Sequence, residues 1–179
     1  MEEVGKMKIN RFLAIDFETA NCYPNSACSV GLVTVEKSRI RKKKTYLIRP
    51  PYRYFEFTDI HGITWDDVRS EPTFGELWTE IEDHFYDVDY FVAHNASFDK
   101  RVLQACCSTY GIEMPNKEFQ CTVRLSRKVL GIKPADLSNV CSVLDIRLDH
   151  HNALSDSIAC AKIMIEVLKN TNGVIQCSH

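Results

Sequence analysis

The stretch Arg11-Phe12-Leu13-Ala14-Ile15-Asp16-Phe17-Glu18-Thr19 decides how the rest of the chain is read. It is an apolar, strand-like run that ends on two carboxylates. Side chains of a strand alternate between faces, so Asp16 and Glu18, two residues apart, project from the same side. Two carboxylates a few ångströms apart repel, and burying them costs more still. A divalent cation held between them removes both penalties. Spacing alone does not establish such a site, because 24 acidic residues among 179 generate roughly three acidic-x-acidic pairs by chance. Glu80-x-Glu82 and Asp87-x-Asp89 are two such pairs, and both read as solvated surface near a helix. Its place at the end of an apolar strand sets Asp16-x-Glu18 apart.

A chain of 179 residues with 45% hydrophobic and 26% charged side chains has the make-up of one soluble globular domain with a sizeable core. A net charge of -2 argues against a strongly basic duplex binder that neutralises many phosphates. It leaves room for an enzyme that grips a few nucleotides through metal ions. The eight cysteines form no C-x-x-C pair and no zinc-type spacing, so reduced thiols are expected. Cys106 and Cys107 are adjacent on an expected helix, where one can face the core and the other cannot. Met1 to Asn10 carries charges and no apolar signal-peptide core, and no apolar run approaches membrane-spanning length. The expected location is cytoplasmic, with no membrane contact.

Outward from Phe12–Phe17, the β-rich segments Ser29–Glu36 and Thr45–Arg49, joined through Lys37–Lys44, predict an antiparallel three-strand meander closed by Pro50-Pro51. An irregular connection carrying Ile60-His61-Gly62-Ile63-Thr64 is expected up to Thr73. There a helix opens with Phe74, Leu77, Trp78, Ile81 and Phe85 in an apolar stripe. A short strand at Asp89–Ala93 then precedes a helix capped by Ser97 that stops at Gly111. A strand at Phe119–Thr122, helices to Leu130 and over Asp136–Leu144, and a long helix over Asn152–Lys169 complete the pattern. A meander followed by alternating helices and strands predicts an α/β fold with a mixed sheet flanked by helices. A single domain is expected over residues 8–170, with a frayed tail at 171–179. The basic run from Lys37 to Lys44 reads first as a solvated hairpin with edge-protecting lysines, against a nucleic-acid surface as the alternative.

Two further clusters bear on Asp16 and Glu18. In Ala93-His94-Asn95-Ala96-Ser97-Phe98-Asp99 a strand hands over to a helix, and Asp99 falls in its first turn, where acids are favoured by the dipole in any case. In His150-His151-Asn152-Ala153-Leu154-Ser155-Asp156 a loop opens the last helix, with Asp156 on the helix and His151 on the loop before it. Taken together, D-x-E on a strand and two acidic helix starts, one preceded by histidine, resemble the DEDD exonuclease superfamily, the proofreading-type fold of the DNA polymerase III epsilon subunit. The resemblance runs from about Phe12 to Leu168. Asp16-Phe17-Glu18-Thr19-Ala20-Asn21, Ile60-His61-Gly62-Ile63-Thr64 and His151-Asn152-Ala153-Leu154 are similar to its stand-alone bacterial branch. Histidine-type (DEDDh) members place His five residues before the last aspartate, which His151 satisfies with Asp156; the tyrosine type has Tyr where this chain has Asn152. His150, one residue out of register, is the second candidate.

The resemblance implies a ribonuclease H-like fold with a mixed five-stranded sheet, and stepwise hydrolysis from the 3′ end to nucleoside 5′-monophosphates. Four convergent carboxylates make a hard oxygen site suited to two Mg²⁺ or Mn²⁺ ions. By similarity, Asp16, Glu18 and Asp156 hold the catalytic ion, Asp16 bridges to the second, and Asp99 acts through a bound water. His151 is the implied general base, a task an imidazole performs near neutral pH. Thr19 and Ala20 are implied contacts of the terminal nucleotide, and His61 a residue lining its pocket. Phe98 reads equally as a base-stacking aromatic and as a core contact. The implied substrates are 3′ ends of single-stranded DNA, with RNA trimming or a silent binding module as alternatives. A DNA polymerase partner is weakened by Ala20-Asn21, which stand where the epsilon type often has Thr-Gly.

Overall fold

The computed structural model describes residues 11–175, together with a short strand β1 at Met7–Lys8. Strands β2 (Arg11–Thr19), β3 (Ala27–Glu36) and β4 (Arg39–Leu47) form the meander. Strands β5 (Tyr90–Ala93) and β6 (Phe119–Cys121) join parallel to β2, giving the order β4-β3-β2-β5-β6. The connection between β4 and β5 carries α1 (Thr58–His61), α2 (Trp65–Val68) and α3 (Phe74–Tyr86). After β5 come α4 (Ala96–Thr109), then α5 (Thr122–Lys128), α6 (Leu137–Val143) and α7 (Ala153–Asn170). The mixed five-stranded sheet flanked by helices is as expected.

Alternation along β2 splits the core. Leu13, Ile15 and Phe17 pack with α3 and α4 on one face, against Phe74, Leu77, Ile81 and Val102. Phe12 and Ala14 pack with Met164 and Val167 of α7 on the other. Asp16 and Glu18 continue this second series, so both carboxylates emerge on the side that α7 covers.

Several boundaries differ from the sequence reading, each for a physical reason. Lys37 and Ser38 take positive φ (50° and 59°) and make the two-residue turn of a tight β3–β4 hairpin. The basic residues from Arg39 to Lys44 therefore lie within β4, the exposed edge strand, and not in a connecting loop. The irregular 50s–60s connection contains two four-residue helices, too short to show a period. Asn95, in the left-handed region (φ 65°), caps α4 in place of Ser97, which lies inside its first turn. Cys106 and Cys107 are both buried, because α4 is enclosed by the sheet on one side and α3 on the other. The seven described cysteines are all free thiols, whereas Cys177 lies outside the described residues. At the C-terminus, Val174–Ile175 (β7) pair antiparallel with Met7–Lys8, and residues 176–179 of the expected tail lie outside the described residues.

Candidate active site

The site forms where β2 outruns its neighbour β5. The parallel ladder pairs Phe12, Leu13 and Ala14 with Tyr90, Phe91 and Val92, and β5 ends at Ala93. Beyond that point the Phe17 amide has no strand partner on this side, and a buried donor left unpaired is costly. The left-handed turn at Asn95 starts α4 so that Asp99 Oδ1 accepts this N–H at 3.0 Å. Asp99 is thereby fixed, almost fully buried, beside Asp16 and Glu18.

The fourth acid arrives from across the sheet. Gly31 pairs with Asp16 in the β2–β3 ladder. A Cβ on Gly31 would lie 2.0 Å from the carbonyl oxygen of Ala153 and 2.6 Å from Ser157 Oγ. Only glycine lets the start of α7 rest on the sheet at this depth. Asn152 caps that helix by accepting the Ser155 amide (3.1 Å). Asp156, in the first turn, then reaches Asp16 and Glu18, and the three carboxylates offer oxygens within 4.8 Å of one another.

Electrostatics make this trio unfavourable without a cation. Burial, followed by the charges of Asp99, Asp156 and Glu18, raises Asp16 well above the usual carboxylate range. Burial and then Asp156 push Glu18 up to about 8. Burial also pushes Asp99 to about 8, even though the Phe17 amide pulls the other way. Asp156 is raised by burial against the hydrogen bonds of His150 and His151. Its Oδ2 accepts the His151 amide (3.1 Å) and meets His150 Nδ1 (2.9 Å), while the buried Oδ1 has no partner. A buried, unpartnered carboxylate oxygen beside two more carboxylates fits a hard divalent ion.

The carboxylates open into a cleft of about 590 Å³. Asp16, Glu18, Asp156 and His151 all line it, and Asp99 lies behind its wall. The His150 and His151 rings stack with centroids 3.9 Å apart. His150 is committed to Asp156, whereas the His151 imidazole makes no hydrogen bond among the described residues. His151 itself sits at φ 66°, a left-handed turn that presents its ring to the cleft.

Thr19 lines the cleft, and its carbonyl accepts a hydrogen bond from His61 Nε2–H (3.1 Å), because Nδ1 accepts the Ile63 amide (3.1 Å). Both nitrogens of His61 are thus used internally, burial lowers its pKa, and its ring serves as a neutral wall. Phe98 lines the cleft with one side and packs on the core with the other, so both of its readings have a surface. Ala20 is placed differently from Thr19. It is fully buried against Cys28 and Val68, and its amide donates to Ser26 O (2.8 Å), so its methyl lies under the site and does not line it.

Two lining residues went unremarked in the sequence. His94 lies in the quoted Ala93–Asp99 segment; burial lowers it to about 4, and its Nδ1 bonds Thr122 Oγ1 (2.8 Å). Arg127, on α5, belongs to no motif.

Residues 13–164 match the RNase_T family, described as Exonuclease. The chain belongs to this exonuclease family. It is 32% identical over 167 residues to Exodeoxyribonuclease 10 of Escherichia coli strain K12, spanning 89% of this chain and 69% of that protein. It is 30% identical over 169 residues to the 3′-5′ exonuclease DinG of Bacillus subtilis strain 168, covering 91% of this chain and 18% of that one. The structure of Exonuclease X in complex with 5′ overhanging duplex DNA superposes with a TM-score of 0.73 at 25% identity, over 92% of this chain and 95% of that one. The protein is accordingly a 3′–5′ exonuclease with a ribonuclease H-like fold. Its family uses divalent metal ions. No helix among the described residues is long and apolar enough to cross a membrane.

Proposed function

We propose that this exonuclease is a cytoplasmic enzyme that degrades single-stranded DNA from the 3′ end, releasing nucleoside 5′-monophosphates. One observation carries the reading: three carboxylates within 4.8 Å, one with an orphaned buried oxygen, share a cleft with an uncommitted imidazole. The DNA preference draws on what the relatives are named for and on a chain too weakly charged for a long duplex footprint.

Asp16, Glu18 and Asp156, with Asp99 beside them, would hold the two Mg²⁺ or Mn²⁺ ions. When bound, the two ions supply activation of the attacking water and charge stabilisation at the leaving 3′ oxygen. His151 takes one proton from that water. The new oxygen–phosphorus bond forms as the phosphorus–O3′ bond breaks, and the leaving oxygen takes a proton from solvent to become the 3′-hydroxyl of the shortened strand. His150 holds Asp156 through its Nδ1 contact with Oδ2 and does not take part in proton transfer. Thr19 and the His61 ring shape the space for the terminal nucleotide, and the exposed side of Phe98 stacks on a base.

The test is degradation of 5′-labelled single-stranded DNA and RNA side by side in Mg²⁺, Mn²⁺ and EDTA. The expected result is a ladder of 3′-shortened DNA with either metal and none in EDTA. A ladder on RNA alone would move the substrate to RNA, and no cleavage under either metal would overturn the proposal.

A further inference from the structure

Tyr23, Tyr52 and Tyr54 are three large side chains left in solvent, with Tyr54 62% and Tyr23 55% exposed. They come from two segments that the fold ties together. Along residues 52–55 the chain alternates: Arg53 lies over the Trp65 ring at 5.4 Å, and Phe55 packs against the Ala20, Cys28 and Val68 cluster. Tyr52 and Tyr54 are left facing outward. The Tyr23 ring lies 5.3 Å from that of Tyr52, tilted by 41°.

The first tie between the two segments is a buried side chain. Asn21 is 1% exposed; its Nδ2 donates to the Tyr54 carbonyl (2.8 Å) and its Oδ1 accepts the Tyr23 amide (3.0 Å). A glycine, common here in the epsilon type, has no side chain to make either bond. The amides of Glu56 and Phe57 add a second tie by donating to the Ala20 carbonyl (2.7 and 3.2 Å). The tyrosines are therefore held in place before any ligand arrives, which lowers the ordering cost of binding. The chain also ties the platform to the cleft: Phe57 lines it, and Tyr54 is three residues away, at most about 11 Å of extended chain.

We infer that Tyr23, Tyr52 and Tyr54 form a stacking platform for unpaired bases of the strand whose 3′ end occupies the cleft. This rests on the exonuclease reading of the cleft and adds to it a site for the bases upstream of the cut. Exposed rings that stack on any base suit an enzyme that must hold every sequence it shortens.

The experiment measures fluorescence anisotropy of a 5′-fluorescein single-stranded DNA 20-mer with Asp16→Asn protein, so that no cleavage occurs. Adding Tyr23→Ala and Tyr54→Ala should raise Kd about tenfold or more, whereas adding Tyr23→Phe and Tyr54→Phe should leave it within about twofold. With Asp16 restored, the Ala pair should hydrolyse 5′-p-nitrophenyl thymidine monophosphate, which has no upstream base, at the unmutated rate. Unchanged 20-mer binding by the Ala pair, equal loss by the Phe pair, loss of p-nitrophenyl ester hydrolysis, or a parent that does not bind the 20-mer would each overturn the platform. Failure of the exonuclease reading shows separately, as no hydrolysis of either substrate by the unmutated protein, because anisotropy needs no turnover.

Discussion

Glu18 and Asp99 both hold their protons up to about pH 8 in the metal-free chain, far above their usual 4.5 and 3.8. The unfolded chain releases those protons earlier, so folding binds protons, and stability falls as pH rises from the usual carboxylate range through 8. Metal-free protein should therefore melt at a lower temperature at pH 8 than at pH 6, and Mn²⁺ should close the gap. Thermal melts in EDTA and in Mn²⁺ check this; a melting temperature independent of both pH and metal would contradict it. Asp16→Asn removes one of the crowded carboxyl groups and should raise the pH 8 melting temperature in EDTA while abolishing cleavage. The two histidines separate at the same scale. His151→Ala should lower kcat by about 10²–10⁴-fold, the usual worth of a general base, with the melting temperature preserved. His150→Ala should cost less in kcat and more in metal affinity, since His150 bonds Asp156, one of the proposed metal ligands. Steady-state rates across a Mn²⁺ titration distinguish them, and the reverse ranking would transfer the base to His150.

At the scale of elements, the site depends on α7 lying close to β3. Gly31→Ala places a methyl inside van der Waals contact with the Ala153 backbone, which cannot yield as a flexible side chain would. Overpacking of this kind costs about 1–3 kcal/mol, and here it also lifts Asp156 from Asp16. The expected outcome is a melting temperature lower by several degrees together with a loss of activity larger than the lost stability explains. Calorimetry and the DNA ladder measure the two effects, and full activity in a folded Gly31→Ala protein would contradict the account. Elements with a clean period were legible in the sequence: β2 by alternation, α3 and α7 by apolar stripes. β4 was not, because an irregularity between Thr34 and Val35 of β3 shifts its register. Ile40 and Tyr46, an even number of residues apart, consequently serve opposite faces of the sheet. Cations fill most of the rest of this edge strand, and such an edge resists pairing with another chain.

For the whole molecule, the order of a meander followed by parallel crossovers was readable, and it places the D-x-E pair where β2 extends beyond β5. The convergence of Asp16, Glu18 and Asp156 could be anticipated because each sits in a quoted motif. Three things needed three dimensions: that Gly31 faces the start of α7, that Ala20 turns beneath the cleft, and that Arg127 and His94 complete its wall. None of these has a local signature, since each depends on which distant element the fold brings opposite. The claim beneath all of them is that the clustered acids from β2, α4 and α7 hold divalent cations. The most direct measurement is an anomalous difference map of crystals soaked in manganese chloride. The account predicts two peaks between Asp16, Glu18, Asp99 and Asp156, both lost in an Asp16→Ala crystal of unchanged fold. A map with no peak among these carboxylates would contradict it.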